Sequence, residues 1–469
     1  MIKKTVFIIG TACLTASCTQ TAQVGWVSTT PESGFVEQSA LKATAATDDA
    51  MADVTILTDK TLQEIDGFGG CFNELGWVTI SSLNEADRDA VVKDLFGPEG
   101  MNFTFCRMPV GANDFARDWY SYNETDGDFE MKNFSIDNDR ETLIPFIHAA
   151  QKVNPSIRIW ASPWSPPTWM KYGKHYACRA GGELNLLDGD PNVSQEGANM
   201  FIQKAEYFNA YALYFRKFIE AYRNEGIDIE MIAPQNEFNS CQIFPSCTWT
   251  ADGLSAFIGD YLGPQMKEIG VRVMFGTMER PNHLLVDTVM QRKSGAHITG
   301  IGFQWAGKEA IAKVHETYPD MRLMQTESEC GNGQNSWEYC FYIWEVMKHY
   351  FNHGISSYMY WNISLHADAA DNRWKWPQNS LISVDTQNKT YRYNPEYYLM
   401  KHLSHFVKPG ARRLATDGDE NALAFINPDK SVVLLTANAT SNPQTLTVRA
   451  GGRLFSVTVP PQSINTFTI

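Results

Sequence analysis

The sequence predicts an α/β protein, a (β/α)8 barrel with a side antiparallel β-sandwich, on three observations. Between residue 64 and about 408, eight short apolar runs alternate with longer segments of helical spacing. None of those runs leads into a glycine-rich phosphate loop, which counts against a doubly wound open sheet. From residue 409 to 469 the pattern turns to alternating, β-branched sequence broken by Asn-Pro, Gly-Gly and Pro-Pro turns.

The elements follow in order. Lys3 and Lys4 precede an apolar run from Thr5 to Leu14, too short for a lasting membrane helix, so residues 1–18 read as an export signal. It ends in "LTASC", similar to a bacterial lipoprotein box with its leucine one place early, and Cys18 is the expected lipidation site. Plain cleavage to a soluble secreted protein is the alternative. Residues 19–50, rich in Thr, Ser, Ala and Gln, read as a flexible tether. "DVTILTD" (53–59) has no helix after it, so residues 51–63 are expected to add a strand to the sandwich. The barrel strands are placed at "IDGFGG" (65–70), "FTFCRMP" (103–109), "IRIWASPW" (157–164) and "IEMIAPQ" (229–235). The remaining four are "VRVMFGT" (271–277), "ITGIGFQW" (298–305), "MRLMQTE" (321–327) and "SSYMYW" (356–361). "GFGG" is expected to form a tight turn.

Charge and cysteines exclude several classes. A net charge of −14 disfavours a nucleic-acid partner. Seven cysteines follow Cys18 with no CxxC pair, so no zinc site is suggested; Cys241 and Cys247 either bridge within one loop or stay free. His402 and His405 in "MKHLSHF" are spaced for one helix face and read as structural. No metal or organic cofactor is expected, and membrane contact is expected only through lipid on Cys18.

In such a barrel, chemistry collects at the C-terminal strand ends. Glu237 lies just past the fourth strand in "APQNEF", and Glu327 closes the seventh. Two carboxyl groups facing one another across a barrel mouth are the machinery for cleaving a glycosidic bond, one as acid then base, the other as nucleophile. Trp164, Trp169, Trp305 and Trp361 fall at or beyond strand ends, with Trp374 and Trp376 in the last loop, and aromatic faces stack on pyranose rings. Asn236 is placed to bond a sugar 2-hydroxyl. Arg107, in "FCRMP", either keeps Glu327 ionised while Glu237 stays protonated or serves as a structural salt bridge.

"GFGGCFNELG", "RMPVGANDFARDWYSY", "ASPWSPPTWMK", Asn236-Glu237, "TESECG" and "YWNISL" occur in order. Through them the chain resembles glycoside hydrolase family 30, the glucosylceramidase and β-1,6-glucanase family, from about residue 60 to the C-terminus. The resemblance implies a barrel with a side β-sandwich and a retaining mechanism, Glu237 as acid/base and Glu327 as nucleophile, with Glu329 a neighbour outside the chemistry. It also implies that Glu74 binds glucose hydroxyls, where human-type members have Asp, and that Trp164, Asn236 and Trp361 line the −1 subsite. Human-type members carry His-Trp-Tyr at the sixth strand; here stand Gln304, Trp305 and Ala306, and the usual tyrosine partner of the nucleophile is missing. Extra loops at 175–190 and 239–247 would shape subsites for a longer glycan. The expected substrate is a β-glucan or β-glucoside. β-1,6-Glucanase activity ranks first, then glucosylceramidase or β-glucosidase, then β-xylosidase, and last a non-catalytic glycan-binding lipoprotein.

Overall fold

In the computed structural model, residues 22–47, 50–187 and 194–469 are described. Eight parallel strands close into a barrel: Gly67–Cys71, Phe105–Pro109, Arg158–Ser162, Ile229–Ile232, Arg272–Met278, Ile298–Gln304, Arg322–Glu327 and Ile355–Asn362. Closure is made by the eighth strand pairing with the first, Ser357 with Gly67 through Tyr360 with Gly70. "GFGG" is therefore strand and not turn. The reason is close approach: a Cβ on Gly69 would meet the Phe105 carbonyl oxygen at 2.0 Å, so only glycine lets the first and second strands come together.

Inside the barrel lie Phe105, Trp160, Met231, Ala233, Met274, Met324 and Met359. The methionines fill an irregular space beneath the mouth. Outside, helices press one apolar stripe on the strands. In Ala205–Asn224 that stripe is Phe208, Tyr211, Phe215, Phe218 and Tyr222, the three- and four-residue spacing of a helix face.

The sandwich is built from a ten-stranded sheet folded on itself. Val54–Glu64 enters it antiparallel to Arg412–Gly418 and parallel to Gln444–Ala450. The segment expected as a tether forms three strands, Ala22–Thr30, Ser33–Glu37 and Leu41–Ala45. Ala22–Thr30 pairs with the C-terminal strand, Ser463–Thr468, and with Leu41–Ala45, which draws the sheet round. Val24 and Ala43 join the sandwich core, and Trp26 stacks on Phe467 with centroids 6.0 Å apart. The correction has a physical reason. The β-branched and aromatic residues scattered through this stretch, such as Val24, Trp26, Val27 and Val36, suit a pleated, half-buried surface, and two neighbouring strand edges satisfy its backbone, which composition alone does not register. Cys18 and the export signal lie outside the described residues.

His402, on the last barrel helix Pro395–Ser404, hydrogen-bonds Thr29 at 2.9 Å and Thr466 at 2.8 Å, fastening barrel to sandwich. Burial pushes its imidazole down to about 3, so it is neutral. Cys241 and Cys247 do not bridge; each is a free thiol, and the Cys241 thiol donates to the Cys178 and Ser194 carbonyls.

Candidate active site

A cavity of about 430 Å³ opens at the C-terminal ends of the barrel strands, walled in part by Asp114, Trp164, Asn236, Glu237, Glu279 and Glu327. Its floor is organised by Arg107 on the second strand, which is fully buried. The guanidinium stacks over Trp164 at 4.4 Å and Trp160 at 4.9 Å. Its Nη1 donates to Glu327 Oε2 at 2.8 Å, its Nη2 to Asn236 Oδ1 at 2.7 Å, and Nε and Nη2 both reach the Ser162 hydroxyl. One rigid fork thus fixes a carboxylate from the seventh strand and an amide from the fourth. The two readings of Arg107, salt bridge and charge partner, describe the same contact.

Glu327 also receives the Trp305 indole N–H at 3.1 Å. Ala306 stands where the tyrosine hydroxyl is missing, and the neighbouring Trp305 indole supplies a donor to the same carboxylate. Glu237 is held differently: Gln304 Nε2 donates to its Oε1 at 3.0 Å and to Asn236 at 3.3 Å. The Glu237 backbone N–H donates to Thr277 Oγ1 at 2.9 Å. Glu237 and Trp305 both take left-handed backbone, φ 45° and 49°, a conformation costing each about 1–2 kcal/mol. Strain of this kind at a strand end is how a barrel turns a side chain into its own mouth.

The electrostatics separate the pair. Burial raises both carboxyls above the ordinary range. At Glu327 the Arg107 cation opposes burial most strongly; at Glu237 the leading opposition is the neutral Gln304 amide. By its contacts Glu327 is the carboxyl whose charged form the Arg107 guanidinium favours, although burial still holds it at about 7.

Glu74 is not in the cavity. It is the first residue of helix Glu74–Ser82, whose N-cap is Asn73, and its carboxylate is buried away from the cavity wall. There it accepts from Arg117 N (3.0 Å), Arg117 Nε (2.9 Å), Asn138 Nδ2 (3.1 Å) and Thr142 Oγ1 (2.9 Å). Three of these donors fall on Oε1 and one on Oε2, so the carboxylate is committed to its neighbours away from the cavity wall. Asp114, in the loop after the second strand, lines the cavity instead, 6% exposed, with Oδ1 lacking any partner among the described residues. Burial and the Glu327 charge hold its carboxyl well above the usual range. Sequence reasoning passed over Asp114 although it stands inside "GANDF", five residues beyond the end of the second strand, where barrel loops carry function.

Trp164 walls the cavity, and Trp361 stands behind it, stacked at 5.3 Å, without lining it. Trp374 donates from its indole to the Asp114 carbonyl at 3.0 Å. Trp376 is on the cavity wall, 5.4 Å from Phe244. Trp169 departs from the aromatic set: it packs in the core against Phe129 and Tyr207. Glu329 lies at the rim, held by Lys308 Nζ and the Tyr342 hydroxyl, both at 2.7 Å.

A parallel barrel with two buried, electrostatically divided glutamates at its mouth, aromatic walls and an unmet acid beside them defines a glycoside hydrolase. The sequence profile of the glycosyl hydrolase family 30 TIM-barrel domain matches residues 65–407, and that of the family 30 beta sandwich domain matches 410–467. The chain belongs to glycoside hydrolase family 30. It is 29% identical to putative glucosylceramidase 4 of Caenorhabditis elegans, over 92% of this chain and 86% of that one. It is 25% identical to an endo-1,6-beta-D-glucanase of Neurospora crassa, over 87% and 85%. The solved endo-beta1,6-glucanase BT3312 superposes with a TM-score of 0.80 at 25% identity, covering 95% of this chain and 99% of that one.

Proposed function

We propose that the protein is a retaining β-glucan hydrolase acting on β-1,6-linked glucan, with Glu327 as nucleophile and Glu237 as acid/base. In the first step the Glu327 carboxylate attacks the anomeric carbon while Glu237 gives its proton to the glycosidic oxygen, and the leaving alcohol departs. In the second, Glu237, now the base, takes a proton from water, whose oxygen attacks the same carbon and frees Glu327. Asn236, oriented by Arg107 and Gln304, bonds the sugar 2-hydroxyl. Asp114 and Trp164 hold the sugar being cleaved.

The observation that carries the substrate reading is the wall beyond the two glutamates, where Gln242, Glu279, Arg280, Lys308 and Glu329 present amides and charges. Such a wall suits the hydroxyls of a second sugar better than an acyl chain. A glucosylceramidase is the second reading, favoured by Phe244 and the exposed Trp376 on the same rim. The deciding experiment is product analysis on β-1,6-glucan, glucosylceramide and an aryl β-xyloside, with Glu327→Gln protein as the blank. Gluco-oligosaccharides from the glucan, absent in the blank, are the expected result. Glucose from the ceramide substrate alone would overturn the glucan reading, and full activity in Glu327→Gln would overturn the nucleophile; sugar binding without any cleavage by the wild-type protein would leave a glycan-binding lipoprotein. The export signal and Cys18 extend the reading to a lipid-anchored envelope enzyme, which radiolabelled fatty acid incorporation, lost in Cys18→Ala, would test.

A further inference from the structure

Glu279 follows the fifth barrel strand and forms part of the cavity wall, yet it has no role in the double displacement. The residue is 1% exposed, and neither carboxyl oxygen has a hydrogen-bond partner among the described residues. Arg280 Nη1 approaches Oε1 to 3.1 Å without the alignment of a hydrogen bond, and Arg280 is itself engaged by Glu196. A buried acid with two unmet oxygens on a cavity surface is costly unless something in the cavity meets them.

Its place in the barrel says which part of a substrate that is. Asp114 follows the second strand and Glu279 the fifth, three strands apart round the mouth, with Glu237 after the fourth strand beside Glu279. The charge acting most on Asp114 is that of Glu327; the charge acting most on Glu279 is that of Glu237. Asp114 and Trp164 therefore flank the sugar attacked by Glu327, and Glu279 lies on the side to which Glu237 delivers its proton. Gln242, Arg280 and Lys308 complete that side.

We infer that Glu279 is a specificity-determining residue whose carboxyl hydrogen-bonds a hydroxyl of the sugar on the leaving-group side. The inference rests on the glucan reading above and deepens it. Burial, opposed by Arg280, pushes the Glu279 carboxyl up to about 8. At neutral pH it therefore carries a proton and offers a donor as well as an acceptor, matching a hydroxyl in both senses. An alkyl leaving group would leave both oxygens unpaired, and a site built on buried polar groups rejects ligands that cannot pair them.

The test compares wild-type, Glu279→Ala and Glu279→Gln enzyme on a β-1,6-linked glucotriose and on 4-nitrophenyl β-glucoside, whose leaving group has no hydroxyl to offer that side. The readout is the ratio of kcat/KM for the two substrates. In Glu279→Ala the ratio falls at least about tenfold, and in Glu279→Gln, which keeps a donor and an acceptor, by less than about threefold. An unchanged ratio in Glu279→Ala, with both substrates slowed alike, overturns the inference and makes Glu279 a partner of Glu237 only. If wild-type enzyme cleaves β-1,3- or β-1,4-linked glucotriose and not the β-1,6 compound, the linkage reading fails while the same ratio, taken on the substrate that is cleaved, still decides Glu279.

Discussion

Replacing Arg107 by methionine removes the cation that lies 2.8 Å from Glu327 and leaves a side chain of similar length between the tryptophans. At that range, with an effective dielectric of about 20, the Coulomb attraction is about 4–6 kcal/mol before the cost of burying both ions. Carboxylates beside a guanidinium are lowered by about 1–3 units as a net effect. Without Arg107, then, the Glu327 pKa rises by about 1–3 units, because losing a positive neighbour disfavours the charged form. On the proposed mechanism Glu327 must be ionised to attack, so the acidic limb of the pH profile moves to higher pH by the same amount. At a fixed pH on that limb, kcat/KM falls about 10- to 1,000-fold. Raising the pH recovers part of the loss until deprotonation of Glu237 cuts it off, so the bell narrows and its peak drops. The assay is kcat/KM for an aryl β-glucoside across the pH range, which reports the free enzyme. Arg107→Lys keeps the charge without the fork and should move the limb less. A uniform loss with the acidic limb unmoved would show that Arg107 acts only through Asn236 and packing, and the charge argument would be refuted.

Glu237→Ala should slow turnover of natural glycan by about 10²–10⁴-fold while a substrate with a good leaving group still forms the covalent intermediate, visible as added mass on the intact protein. Glu74→Ala, which strands Arg117, Asn138 and Thr142, should cost about 2–4 kcal/mol in urea unfolding with KM little changed, whereas Asp114→Ala should raise KM sharply without loss of stability. The reverse pattern would restore Glu74 to the substrate. Removing residues 22–46 should lower the melting temperature or give insoluble protein, since it uncovers the edge of Ser463–Thr468; an unchanged melt would return the segment to a tether.

The barrel was legible because each strand is a short apolar run bounded by helical spacing, and all eight lie within a few residues of their expected places. The two glutamates were legible for the same reason, as carboxyls ending such runs. Glu74 and Asp114 show where pattern stops. Both follow a barrel strand, and both sit beside Asn and aromatic residues. What separates them is that Asn73 caps a helix at once, which turns Glu74 toward Arg117, while Asp114 stays in a loop over the mouth. Cap geometry and a partner 43 residues away decided it, and neither has a signature in a local window. The N-terminal strands were illegible in a similar way: their stability comes from the far end of the chain, where Trp26 meets Phe467 and Asn465.

The mouth gathers five carboxyls, Asp114, Glu237, Glu279, Glu327 and Glu329, in one cavity wall. Burial raises Asp114, Glu237, Glu279 and Glu327 above the ordinary carboxyl range. Cations choose between them: Lys308 sits on Glu329 and Arg107 on Glu327, both within 2.8 Å, while Arg280 divides itself between Glu196 and a poorly aligned approach to Glu279. Asp114, Glu237 and Glu279 are left to burial, which favours the neutral acid. On the proposed mechanism, ionised Glu327 faces three acids whose neutral form burial favours, Glu237 to donate to the leaving oxygen, and Asp114 and Glu279 to meet hydroxyls on either side of it. Moving the cation from Glu327 to Glu237 would favour the opposite division without altering a single carboxylate.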